Sequence, residues 1–84
     1  MVVTGRVQGV FFRAACARRA RELGVAGSIA NRPDGAVEGV FEGPAEAVAS
    51  MIDWCRRGPD HARVEGIEVS DEDPDEEEGF RILG

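Results

Sequence analysis

The sequence predicts an α+β fold of order β-α-β-β-α-β: a ferredoxin-like sandwich with two helices on one face of a mostly antiparallel sheet. Three observations lead there. Two stretches carry apolar residues at helical spacing, Phe12 to Leu23 and Val48 to Cys55. Between them, two alternating segments flank the turn Pro33-Asp34-Gly35. One further strand-like segment precedes the first helix and another follows the second.

The elements follow in order. Val2 to Val7 sets Val3, Gly5 and Val7 against Val2, Thr4 and Arg6, the two-residue period of a strand. The first helix is predicted from about Val10 to Leu23, with Phe12, Ala15, Cys16, Ala20 and Leu23 on one stripe. Arg19 falls inside that stripe and must reach outward or find a partner. Gly24 supplies a left-handed cap. Val25 to Arg32 is the second strand, with Gly27, Ile29 and Asn31 on one side. Ala36 to Glu42 returns as the third, with Val37, Gly39 and Phe41 in phase.

Pro44 opens the second helix in its first turn, and Gly58-Pro59 ends it. Ala62 to Val69 forms a fourth strand whose apolar phase slips between Val64 and Ile67, so a bulge is expected near Gly66. The run Asp71-Glu72-Asp73-Pro74-Asp75-Glu76-Glu77-Glu78 reads as a solvated loop held open by repulsion; no ligand spacing supports a metal-binding tail. Phe80 to Leu83 closes the sheet, with Phe80 and Ile82 expected inward.

Residues 1–84 are read as one domain with one thin core. The 43% hydrophobic content argues for a folded globule. The net charge of −6 disfavours nucleic acid and anionic membranes as partners, since both need a basic surface. With no signal-peptide layout and no membrane-length apolar run, a cytoplasmic monomer is expected. Cys16 and Cys55 stand apart from any Cys-x-x-Cys pair and read as small buried hydrophobes. They could form a disulfide only if the two helices lie side by side.

The most informative stretch is Gly5-Arg6-Val7-Gln8-Gly9-Val10-Phe11-Phe12-Arg13. A strand runs through a glycine turn straight into a helix. That junction gathers unpaired N–H groups and the positive end of a helix dipole. Arg13 adds a planar fork of donors, and its side chain leans back toward the helix start. The combination suits a small dianion such as a phosphoryl group.

In the predicted topology the first and second strands run parallel with the third between them. Asn31 therefore reaches the same rim as the glycine turn. A neutral amide does not titrate, but it can accept from a water and orient it. His61 lies alone in a loop, and no Ser-His-Asp set, Cys-His pair or carboxylate cluster stands near the turn. No phosphate-loop motif ending in Gly-Lys-Ser/Thr is present. A cation, an amide cradle and a carboxamide suit an easy bond. An acyl phosphate qualifies, because its carboxylate leaving group has a pKa of about 4 and needs no proton.

The runs GRVQGVFFR, LGVAGSIANRPDGAVEG and PDHARVEGIEV resemble the acylphosphatase family over nearly the whole chain. The dense acidic run and the ending Phe80-Arg81-Ile82-Leu83-Gly84 depart from its usual pattern. The resemblance implies hydrolysis of the carboxyl-phosphate bond of small acyl phosphates, with no metal and no cofactor. It implies that Arg13 binds the phosphate and that Gln8, Gly9, Val10, Phe11 and Phe12 supply the loop around it. It implies that Asn31 positions the attacking water. Two other classes compete. A non-catalytic phosphate or acyl-phosphate binding module would share the rim. An RNA-binding sheet would need exposed aromatics and a basic surface, which this composition does not offer.

Overall fold

The computed structural model describes residues 1–71 and 78–83. Its elements are β1 (Val2–Arg6), α1 (Phe12–Leu23), β2 (Ala26–Asn31), β3 (Val37–Glu42), α2 (Ala45–Arg57), β4 (Arg63–Glu68) and β5 (Phe80–Leu83). The sheet order is β4-β1-β3-β2-β5. β3 lies antiparallel between β1 and β2, so those two run parallel, as the sequence predicts. β5 adds to β2 in parallel at the edge. Most of the acidic run lies outside the described residues.

Alternation decides which face is buried. Val3 and Val7 from β1 and its extension, Ile29 from β2, Val37 from β3 and Phe80 from β5 meet Phe12, Cys16, Ala17 and Ala20 of α1. Met51 and Cys55 of α2 complete the same core. Phe12 packs edge-on against Trp54 across the two helices, with ring centroids 5.6 Å apart. Phe41 and Phe80 stack at 5.8 Å. No described helix is long and apolar enough to cross a membrane.

The expected bulge is present. Thr4 pairs with Gly66 and Gly5 with Val64, which leaves Glu65 as the extra residue of β4. Gly5 has φ 121°, and a Cβ there would strike the backbone carbonyl of Arg63. No other residue fits that approach.

Four details differ from the sequence reading. α1 begins at Phe12, because Phe11 takes a left-handed backbone at the N-cap. Its buried stripe includes Ala17, while Ala15 is only half-buried, a small rotation of the face that packs on β2, β5 and α2. Pro44 is the N-cap of α2, one position before the first turn. Ile82 is not buried like Phe80 but 45% exposed, since it lies at the open rim of the sheet, where it lines a cavity with Arg13 and Asn31.

Candidate active site

The loop between β1 and α1 leaves its donors free. Its backbone alternates in hand: Gly9 has φ 73°, Phe11 has φ 61°, and Val10 between them stays on the negative side. Such alternation turns successive N–H groups toward one concavity. Gly9 takes this conformation without steric cost. The first bond of α1 runs from the Ala15 N–H to the Phe11 carbonyl at 3.0 Å, and no side chain caps the helix. Among the described residues, the N–H groups of Gly9, Val10, Phe11, Phe12 and Arg13 meet no protein acceptor. The positive end of the α1 dipole lies at the same place.

A cavity of about 290 Å³ opens there, lined by Val7, Gly9, Phe11, Phe12, Arg13, Ala14, Asn31 and Ile82. Arg13 and Asn31 thus share one hollow, although one stands on α1 and the other ends β2. The parallel run of β1 and β2 brings their C-terminal ends to one rim. Arg13 is half-buried, and its Nη1 donates to the Leu83 carbonyl of β5 at 3.3 Å. That bond orients the guanidinium and occupies one of its donors.

Asn31 carries the most pointed feature. Its Oδ1 is buried and has no hydrogen-bond partner among the described residues. A buried acceptor without a partner costs about 1–3 kcal/mol, so it marks a group whose partner is a water or a ligand. The Nε of Arg19 is the other unpartnered buried side-chain atom among the described residues. Arg19 reaches outward along its stem to Glu22, at 3.8 Å.

The Gln8 side chain has a different task from the one its position suggests. Its Nε2 donates to the Arg32 carbonyl at 2.7 Å and to the Ala36 carbonyl at 2.9 Å. It ties the loop to the β2–β3 hairpin, next to Asn31. Gln8 does not line the cavity. Val10 is buried in the core and anchors the loop from below. Sequence reasoning missed Ile82 as a lining residue; its place on the last strand, level with the end of β2, was the available signal. Among the described residues, no three His, Cys, Asp or Glu side chains gather as metal ligands would.

The fold and the rim define a small ferredoxin-like domain in which backbone N–H donors, an arginine and a buried amide surround one hollow. Known proteins resolve the class further. A family model described as Acylphosphatase matches residues 1–82. An acylphosphatase of Rubrobacter xylanophilus is 60% identical over 70 residues, which are 83% of this chain and 64% of that protein. One from a Roseiflexus species is 54% identical over 82 residues, 96% of this chain and 88% of that one. The crystal structure of acylphosphatase from Bacillus subtilis has a TM-score of 0.94 at 34% identity, covering 99% of this chain and 93% of that chain. The chain belongs to the acylphosphatase family, a family of hydrolases.

Proposed function

We propose that this chain hydrolyses small acyl phosphates to a carboxylate and inorganic phosphate, by direct attack of water on phosphorus and without a cofactor. The observation that carries the residue roles is the buried, unpartnered Asn31 Oδ1 in the cavity that Arg13 and the free amides share.

The steps follow from the donors and acceptors. The phosphoryl oxygens accept from the N–H groups of the Gly9–Phe12 loop and from the Arg13 guanidinium. Asn31 Oδ1 accepts an O–H of the attacking water and holds its oxygen lone pair toward phosphorus. A new P–O bond forms on one side as the P–O bond to the acyl group breaks on the other. The electron pair leaves with the carboxylate, which stays unprotonated because its pKa is about 4. The water's proton passes to a phosphate oxygen and then to solvent. Charge on the equatorial oxygens meets donors already in place, so little reorganisation is needed at the moment of reaction.

This reading has the enzyme working as a cytoplasmic monomer on a free small molecule. The direct test is benzoyl phosphate hydrolysis by the purified chain, with and without a chelator. Equal turnover in both is expected. Phosphate binding without turnover would support a non-catalytic module, and loss of activity to the chelator would contradict a cofactor-free site.

A further inference from the structure

Charge is spread unevenly along the strands. β1 and β2 end at the rim that holds Arg13 and Asn31, and β4 begins there, because it runs antiparallel to β1. Arg6 is exposed and precedes Val7, which lines the hollow. Arg63, also exposed, lies directly opposite Arg6 on the β1–β4 ladder. Among the described residues, neither side chain makes an ion pair or a hydrogen bond. Like charges set opposite one another on neighbouring strands oppose pairing, so stability does not explain the juxtaposition.

The acids of this end do not cancel the pair. Arg32 engages Asp34 and Glu38, and Arg56 engages Asp53. Asp60 and Glu65 then stand against Arg6, Arg13, Arg57 and Arg63. Acidic residues collect at the opposite end instead. Glu42 ends β3, Glu46 stands in the first turn of α2, and Glu68 ends β4. Asp71 and Glu78, which bound the acidic run, follow β4 and precede β5 on that same side. β4 carries Arg63 to Glu68 across about 17 Å, twice the Debye length of about 8 Å at physiological ionic strength. Arg6 follows the opposite rule: its Cα lies about 3.8 Å from that of Val7, and Arg63 about 5 Å further on. The hollow is therefore screened from the acidic end and lies within the field of its own arginines.

We propose that Arg6 and Arg63 form a cationic collar that draws the anionic acyl phosphate to the rim, so that a chain of net charge −6 attracts anions at this one end. Neither residue lines the hollow, so the pair acts on approach and binding and leaves the bond-breaking step to the groups inside. This rests on the phosphoryl site proposed above, and it applies to inorganic phosphate as much as to a substrate.

The experiment measures kcat and KM for benzoyl phosphate, and the Kd of inorganic phosphate by calorimetry, at about 10 and about 300 mM salt. It compares the wild type with three double variants: Arg6→Gln with Arg63→Gln, Arg6→Lys with Arg63→Lys, and Glu46→Gln with Glu68→Gln. In the wild type, kcat/KM should fall and the phosphate Kd should rise with salt, the opposite of what the net charge alone would give. At low salt the glutamine replacements of the arginines should raise KM and Kd roughly three- to tenfold, with kcat within about twofold. That deficit should shrink to within about twofold at high salt. The lysine variant should match the wild type, because a point charge is enough for a long-range field. The glutamate replacements at the far end should change both constants by less than about 1.5-fold, although they shift the net charge as much.

Wild-type affinity that strengthens with salt overturns the proposal, as does an arginine-to-glutamine variant with the wild-type salt dependence. A deficit that persists at high salt, or that lysine does not restore, would show a direct contact and overturn it too. A melting point more than about 5 °C lower in that variant would show a structural pair, with the same consequence. Phosphate binding with the expected salt dependence but no turnover would keep the collar and overturn the hydrolysis proposed above.

Discussion

Two connections meet at the same rim and treat their backbone in opposite ways. The β2–β3 hairpin satisfies itself. Its Arg32 N–H donates to the Ala36 carbonyl at 2.8 Å, and its Gly35 N–H to the Arg32 carbonyl at 3.2 Å. The Ala36 N–H donates to Asp34 Oδ1 at 3.1 Å, and Arg32 pairs with Asp34 at 3.0 Å. Among the described residues, the β1–α1 loop and the start of α1 leave five successive N–H groups without a protein acceptor. The hairpin is a turn that holds its own shape, whereas the loop is a turn with donors to spare. Gln8 joins them, so the self-contained hairpin braces the open loop.

The largest expected effect comes from removing the loop's charge. Arg13→Ala should lower benzoyl phosphate turnover by about 10²–10³, the usual cost of one donor to a developing oxyanion. Asn31→Ala should cost a similar factor while the fold persists, because its buried Oδ1 has no protein partner to lose. Hydrolysis near the wild-type rate by folded Arg13→Ala would remove the contrast between the two connections.

The next effect tests the brace. Gln8→Ala deletes two hydrogen bonds to hairpin carbonyls. We expect a loss of about 2 kcal/mol, or roughly 10 °C in melting temperature. Turnover should also drop, because the loop and Asn31 lose their common tie. A variant that melts as the wild type does and keeps full activity would show that loop and hairpin are independent.

Much of this was legible in the sequence, for reasons that stay local. Pro33-Asp34-Gly35 specifies a turn by its own backbone preferences, and the hairpin formed where it was expected. Gly9 before an apolar helix start marked the loop. Topology then brought Arg13 and Asn31 together across eighteen positions, and that placement needed only the order of elements. What stayed hidden depends on partners far along the chain. The direction of the Gln8 side chain is set by carbonyls more than twenty residues away. The left-handed turn at Phe11 moved the start of α1 two residues later than periodicity suggests. Ile82 follows a strand's alternation, but its exposure is decided by its place at the open rim.

A third prediction reaches beneath both connections. Cys16 of α1 and Cys55 of α2 are fully buried, reduced and in contact, which the side-by-side helices allow. The hydrogen bond to Cys55, then burial, holds the Cys16 thiol far above the ordinary thiol range. The folded state therefore keeps its proton while the unfolded chain loses it above a pKa of about 8.5. Stability from this group is intact below that pH and declines as pH rises further. Relative to Cys16→Ala, the wild type should lose stability progressively as pH rises beyond about 8.5. Parallel stability curves for the two proteins would show that α1 is not anchored by a protonated thiol.

The smallest effect belongs to the hairpin tip. The Ala36 N–H, followed by Arg32, holds the fully exposed Asp34 carboxyl below the ordinary aspartate range. A depressed pKa stabilises the fold above the unfolded value of about 3.9, and that contribution disappears as pH falls through the lower folded value. The melting difference between wild type and Asp34→Asn should therefore shrink as pH is lowered from 6 to 2. Because the backbone donor ranks ahead of Arg32, Arg32→Ala should return the Asp34 midpoint only part of the way, as followed by carboxyl NMR. Complete return would mean that the hairpin leans on an exposed ion pair, which solvent screens. Its independence from the loop would then be weaker than the bond pattern indicates.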